Sequence, residues 1–471
     1  MKASKKIISF GLAALILTQT LFVHAANVVQ VPSTELDSVY YQEVQSNSIE
    51  GWAKGPQIYC ESGIVMDVDS GAILYAKNID AQHYPASITK VMTALVALEN
   101  NELTDTVAFS NEDVYFLEYG DAHIGLRPGE EITMEHALYG MLLASANEVS
   151  HAIASNTEGG YDNFLRLMNE KAKELGCTNS NFMNTHGLHD PEHYVSARDM
   201  ALIGSAVFKH EEFRTITATL QHTIPETNLV NEKRTFQQNH KMLYDWRQEY
   251  YEYCVGGKTG YTDQALNTLI TFAQKDGVNL VAVVLRAHGG NKNSYKATRE
   301  MLDYAFENFT KTPISSEMIV AEGLASIEED AYVMLPQGIT FDQLQAEVQY
   351  PTELEDKTGK IVYTYNGHPV GEVEMTIADK YYNKMHGIEE PKKEEPKPAP
   401  KVNVLLIIVK VILWLVFAAV AFYIFLLCYA VYRRKQRRKR KAEMRRRKRE
   451  QEYRRYVNQV NKDEEWNKRT P

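Results

Sequence analysis

Two apolar rhythms alternate along the chain, and their order predicts its architecture. From residue 56 a period of two comes first: GIVMDVDSGAILYAKN alternates on either side of Asp69-Ser70-Gly71, which predicts a β-hairpin. Runs with a helical period follow, predicting helices over 87–99, 134–155, 161–175 and 196–208. Ser196 and Asp199 have the spacing of a capping box at the start of the last one. Strand patterns return in YCVGGKTGYT, LNTLITFAQ and VNLVAVVLRA, the final pair turning at Asp276-Gly277, and a helix near 294–309 closes the unit. Strands, helices, then strands predict an α/β (α+β) domain over 56–312, its sheet fed from both chain ends with a helical cluster inserted.

The pattern changes at 313. Short alternating runs such as YVMLPQG and KIVYTYNGHPVGEVEMTI, with a hairpin signal at Asn366-Gly367, predict a small all-β domain over 313–382. A linker follows over 383–402, where EEPKKEEPKPAPK is proline-rich and charged and reads as an extended spacer. Residues 26–55 show no clear period and are expected to be an N-terminal extension.

Two stretches are too apolar for a water-soluble surface. The first, with lysines at 2, 5 and 6 and a small-residue pattern at Val23-His24-Ala25, reads as a cleaved signal peptide over 1–25. The second, VILWLVFAAVAFYIFLLCYAVY, forms the centre of a transmembrane helix placed at 403–432. Immediately after it RRKQRRKRK opens a basic tail, 433–471, which the positive-inside rule puts in the cytoplasm. The expectation is a single-pass membrane protein with its bulk outside the cell and a short tail inside.

Charge and cysteine content sharpen this picture. The tail holds 18 basic and 6 acidic side chains, so the stated net charge of −10 requires about −22 on the remainder. An acidic exterior argues against nucleic acid as a partner of the main domain. Of Cys60, Cys177, Cys254 and Cys428, the last lies in the expected span, and three others cannot all pair. Neither a disulfide framework nor a zinc spacing is present.

The chemistry is carried by three short elements. Ser87 and Lys90 in ASITK lie three apart at the mouth of an apolar helix, where i and i+3 share a face. A serine hydroxyl becomes a nucleophile when a base takes its proton, and a lysine is such a base when burial and nearby positive charge lower its pKa. The helix start also offers the Ser87 backbone N–H to a developing oxyanion. Ser145-Ala146-Asn147 sits between helical segments, and Lys258-Thr259-Gly260 lies on a strand where glycine leaves room for a substrate backbone. SxxK, SxN and KTG in this order form the signature of penicillin-interacting serine enzymes.

With these motifs, with ESGIVMDVDSGAILYAKNIDAQHYPASITKVMTALVALE and with NFMNTHGLHDPEHYVSARDMALI, the chain resembles the low-molecular-mass penicillin-binding proteins, the serine-type D-alanyl-D-alanine carboxypeptidases. The resemblance covers about 56–312 and implies a β-lactamase-like fold. It implies that Ser87 attacks the carbonyl between two terminal D-alanines of a peptidoglycan stem peptide, with Lys90 as base and Ser145 relaying a proton to the leaving amine. Asn147 would hold the stem amide and Lys90, while Lys258 and Thr259 would meet the terminal carboxylate beside Gly260. The backbone N–H groups of Ser87 and Tyr261 would form the oxyanion hole. β-Lactams would be trapped at the acyl-enzyme, and no metal or organic cofactor is called for. A DD-endopeptidase or a low-turnover penicillin-binding scaffold is the alternative. A β-lactamase would need a second base, for which Glu212 and Glu226 are on offer.

Several residues depart from the family pattern. Glu148 follows the SxN element where aspartate is common, and Ala265 and Leu266 stand where a glycine usually keeps the groove beside Thr259 open. An arginine often follows the strand VAVVLR, and here AHGGNKNSY offers only Lys292. His186 and His193 are expected to be structural, Arg198 and Asp199 to pin a helix, and the tyrosine-rich WRQEYYEYC to pack over the site.

Overall fold

The computed structural model describes residues 35–319, 321–350, 357–388 and 404–467. The expected signal peptide and most of the linker lie outside these residues. Five antiparallel strands form the central sheet: β1 (Cys60–Asp67), β2 (Ile73–Lys77), β3 (Cys254–Thr262), β4 (Leu266–Lys275) and β5 (Val278–Ala287). Their order is β2-β1-β5-β4-β3, so the first hairpin joins the last strand through the β1 and β5 pairing. That order leaves β3 at one edge of the sheet.

Alternation along β1 divides the core in two. Ile64 and Met66 face a helical cluster built from α1 (Lys90–Asn100), α2 (Met134–Leu143), α3 (Asn147–Asn156), α4 (Gly160–Glu174) and α5 (Ala197–Phe208). Val65 faces the other way, into a second core beneath α6 (Asn291–Asn308). The expected single helix over 134–155 is broken: Ser145 has φ +65°, a left-handed conformation that no helix interior tolerates, and α2 and α3 diverge there. Ser196 caps α5 by accepting from Asp199 N at 3.1 Å, but the reciprocal bond of a capping box is missing. The Asp199 carboxylate instead accepts from Asn179 N at 2.8 Å and Ser180 Oγ at 2.7 Å, pinning the preceding loop.

The aperiodic N-terminal stretch belongs to the second core. Trp52 is buried against Phe309 and donates to Leu74 O at 3.2 Å, and the Lys77 ammonium is buried on Val39 O and Ile58 O at 2.7 and 2.8 Å. The same core continues into the small β region. There β6 (Phe309–Pro313) pairs with β8 (Tyr332–Pro336), and β7 (Leu324–Ile327), β9 (Gln345–Gln349), β10 (Thr358–Tyr365) and β11 (His368–Ile377) form a sheet of order β7-β11-β10-β9. Tyr332 Oη on Asp67 Oδ1 at 2.8 Å, Glu372 N on Ser70 O at 2.6 Å and His368 Nε2 at 2.6 Å from Ile73 O dock this region on the first hairpin.

A separate unit holds α7 (Val404–Asn467), whose N-terminal part is long and apolar enough to cross a membrane. The basic run does not end the helix. It continues α7 for a total of 64 residues, about 96 Å at 1.5 Å per residue.

Candidate active site

The nucleophile candidate sits on a single tight turn. Residues Ala86–Thr89 form a 3₁₀ turn that runs into α1 at Lys90, so the Ser87 and Lys90 side chains leave the backbone on the same side. Lys90 is wholly buried, and its Nζ lies 3.2 Å from Ser87 Oγ, 2.7 Å from Asn147 Oδ1 and 2.6 Å from His186 O. Burial, and after it the charge of Lys258, hold this amine well below the usual lysine range, while Glu148 and Asp121 oppose the shift. A lysine so placed is available as a neutral base next to a hydroxyl.

The break between α2 and α3 brings in the second element. Its left-handed backbone turns Ser145 toward β3, where Lys258 Nζ donates to Ser145 Oγ at 2.9 Å and to Thr259 O at 2.8 Å. Burial pushes the Lys258 amine down to about 7. The two lysines are thus linked through the Ser145–Asn147 turn, one on each side.

Close approach of β3 to the nucleophile turn requires glycine. A Cβ on Gly260 would lie 3.0 Å from Ser87 N and 3.1 Å from Pro85 O, and would overlap Thr268 Oγ1, which itself donates to Pro85 O at 2.8 Å. Thr259 is partly exposed beside the turn, and Tyr261, the next residue on the edge, presents a 59 % exposed ring. All eight residues expected at the site therefore fall within three elements, joined by the Lys90–Asn147 and Lys258–Ser145 contacts.

Other expectations are corrected by the register. Leu266 stands opposite Thr262, and the residue paired with Thr259 is Leu269, so neither Ala265 nor Leu266 narrows the groove beside Thr259. Lys292 lines a different cavity with Glu249, Tyr295 and Arg299. Arg286, at φ +52°, pairs with Glu61 at 2.7 Å and donates to Gln264 O at 2.6 Å, so it clamps the β3–β4 turn. The tyrosine-rich segment packs on α6, where Tyr251 donates to Asp303 Oδ1 at 2.8 Å, while Trp246 projects into solvent. It does not cover the site. Glu212 and Glu226 are exposed and make no hydrogen bond to a site residue.

His186 and His193 are structural in their contacts. The His193 ring lies between Thr89 Oγ1, at 3.0 Å, and Met183 N, and burial lowers its pKa to about 4. The His186 ring stacks on Phe116, and burial, with Lys90 nearby, keeps it neutral. Its contribution to the site is its backbone carbonyl, a lysine acceptor that no side-chain motif reveals. Gly187 is what lets that carbonyl approach: it has φ +85°, and a Cβ there would overlap Ala86 O.

Comparison with known proteins places this geometry in context. Residues 50–289, just over half of the chain, match the family model described as D-alanyl-D-alanine carboxypeptidase, peptidase family S11. D-alanyl-D-alanine carboxypeptidase DacF of Bacillus subtilis is 34% identical over 264 residues, 54% of this chain and 64% of that protein's length. DacA of Haemophilus influenzae, of the same description, is 29% identical over 353 residues, 68% of this chain and 85% of that protein. The crystal structure of a D-alanyl-D-alanine carboxypeptidase from Mycobacterium tuberculosis superposes with a TM-score of 0.50 at 29% identity, covering 55% of this chain and 95% of that one.

Proposed function

The chain belongs to the D-alanyl-D-alanine carboxypeptidase family, and on that premise we propose that it is a serine DD-carboxypeptidase that removes the terminal D-alanine from peptidoglycan stem peptides. The observation that carries this reading is the Ser87 hydroxyl 3.2 Å from a fully buried, uncharged-leaning Lys90 amine beside an open strand edge. Ser87 Oγ attacks the carbonyl of the penultimate D-alanine as Lys90 Nζ takes its proton. The tetrahedral oxyanion is met by the Ser87 and Tyr261 backbone N–H groups. Ser145 passes a proton to the departing amine, D-alanine leaves, and water then hydrolyses the ester on Ser87. Lys258 and Thr259 receive the terminal carboxylate, Gly260 lets β3 approach, and Asn147 holds both the stem amide and Lys90. A β-lactam stops at the same ester because its leaving group stays tethered.

Attachment to the membrane goes through α7, with the catalytic domain outside the cell and the basic tail in the cytoplasm, as the run of arginines after the apolar segment argues. The test uses the full chain in detergent, with a pentapeptide ending in D-Ala-D-Ala, D-alanine release and fluorescent-penicillin labelling being read together. Release with labelling supports the carboxypeptidase; labelling without release sinks it in favour of another substrate.

The two lysines also set an expected pH profile. Lys90 must be neutral and Lys258 charged, and Lys258 titrates at about 7 in the free enzyme. As pH rises through that value the charge meant for the substrate carboxylate disappears. kcat/KM for the pentapeptide is therefore expected to fall about tenfold per pH unit above roughly 7, with KM carrying most of the change. A profile flat from pH 7 to 9 would remove Lys258 from that role.

A further inference from the structure

Glu148 is buried to 1 % exposure directly after Asn147, the residue whose Oδ1 accepts from Lys90. Its Oε1 accepts from Ile124 N at 2.7 Å, and Asn147 N donates to Ala122 O at 2.8 Å, so residues 122–124 are strapped across the Ser145–Asn147 turn. Its Oε2 is buried with no hydrogen-bond partner among the described residues. A carboxylate that has surrendered half its hydration for one backbone bond is an expensive strap, since a neutral amide accepts the same Ile124 N–H. What a carboxylate adds is charge, placed behind the turn whose Asn147 holds the buried Lys90 amine.

From this arrangement we infer that Glu148 is a positioning residue whose negative charge, set behind the Asn147 turn, tunes the pH at which Lys90 becomes the base for Ser87. The inference rests on the reading of Lys90 as that base. The groups that face Lys90 come from four elements: Ser87 from its own turn, Lys258 from β3, the neutral His186 ring from the 184–188 segment, and Glu148 with Asp121 from the turn and its strap. Burial raises the Glu148 carboxyl above the usual carboxylate range, and the backbone N–H groups of Ile124, Glu148 and Leu126, with His123, oppose that shift and favour the ionised form. Without this charge the repulsion of Lys258 on Lys90 is opposed on that side by Asp121 alone. Lys90 then loses its proton at a lower pH, and the window in which Lys90 is neutral and Lys258 charged widens on its acidic side.

The experiment is the pH dependence of acylation by a fluorescent penicillin, measured on the full chain for wild type, Glu148→Gln and Glu148→Asp. Glutamine keeps an acceptor for Ile124 N and removes the charge. The acidic limb of the Glu148→Gln profile is expected to move down by about 0.5–1 pH unit, so that on this limb the variant retains roughly 3- to 10-fold more of its own plateau rate than wild type does. Glu148→Asp keeps the charge and is expected to leave the limb in place. A Glu148→Gln limb that stays put, or moves up, overturns the inference, because a purely structural strap alters the plateau and not the limb. A wild type without any acidic limb, or labelling that survives Lys90→Ala, overturns the assignment of Lys90 itself, which is a different result. Should Glu148→Gln fail to fold, infrared spectra of ¹³C-glutamate-labelled wild type and Glu148→Asp decide: a protonated carboxyl band at neutral pH present only in wild type overturns the inference, and its absence supports it.

Discussion

Ser87→Ala is expected to abolish both fluorescent-penicillin labelling and D-alanine release, with a loss of turnover on the order of 10³- to 10⁶-fold, while leaving the protein folded. Substitution removes one oxygen from a partly exposed side chain whose described hydrogen bond is to Lys90. The core on either side of the sheet is untouched, so the denaturation midpoint should match wild type to within about 1 kcal/mol. Oxyanion donors, the Lys258 charge and the edge strand all remain, and for this reason a noncovalent complex with the pentapeptide is still expected. Covalent labelling of the variant by penicillin would show that another side chain is the nucleophile.

The second large effect is expected at a residue that has no side chain and packs on the nucleophile turn. Gly187→Ala should lower stability by about 3 kcal/mol or more and reduce penicillin acylation at least tenfold in whatever protein remains folded. Two constraints coincide at this residue. Its φ of +85° is costly for any residue with a Cβ, and the Cβ would overlap the Ala86 carbonyl, a backbone atom that cannot rotate away. Relief requires the 184–188 segment or the nucleophile turn to shift. Either movement pulls His186 O off Lys90 Nζ, which it now meets at 2.6 Å, and displaces Ser87 relative to β3. The checks are chemical denaturation and the acylation rate measured on the same sample. Wild-type values for both would mean that the turn is far more compliant than its packing indicates.

How much of this could be read from the residues follows from how far apart the cooperating groups lie in sequence. Ser87 and Lys90 are one helical turn apart, and such a spacing has a fixed geometric meaning. The SxN and KTG elements carry a meaning as a set, though nothing in their spacing tells that Lys258 reaches Ser145 across 113 positions. Strand alternation predicted the hairpin and the sheet because each of these strands packs one row of side chains on each core. Residues 35–55 lacked any period for an equally plain reason: Val44 and Trp52 enter the second core one at a time from irregular backbone, and the partner atoms are carbonyls. That the SxN element lies between helical segments was legible, but the left-handed backbone at Ser145 was not, since a single such residue leaves no trace in hydrophobicity. Glu148 was visible only as a departure from a pattern. Its burial and its strap come from the 122–124 segment, which no local motif connects to it.

The two edges of the central sheet meet opposite fates. Along β2 the exposed backbone is occupied by the protein's own chain: Ala76 N reaches Ser46 Oγ at 3.2 Å, and the Ile73 carbonyl is taken by His368. Along β3 no strand follows in the order; the nucleophile turn and the Ser145 turn stand against it near Lys258 and Gly260, and Thr217 and His240 pack on its Gly256-Gly257 end. An unpaired strand edge invites any extended polypeptide, including the edge of a second molecule, and in most proteins it is an aggregation hazard. Here the Ser87 and Ser145 turns stand against the part of that edge where a second sheet would have to pair. The edge that would take a substrate backbone is thus guarded by the same two turns that carry Ser87 and Ser145, so loosening either turn for a bulkier substrate also bares unpaired strand backbone.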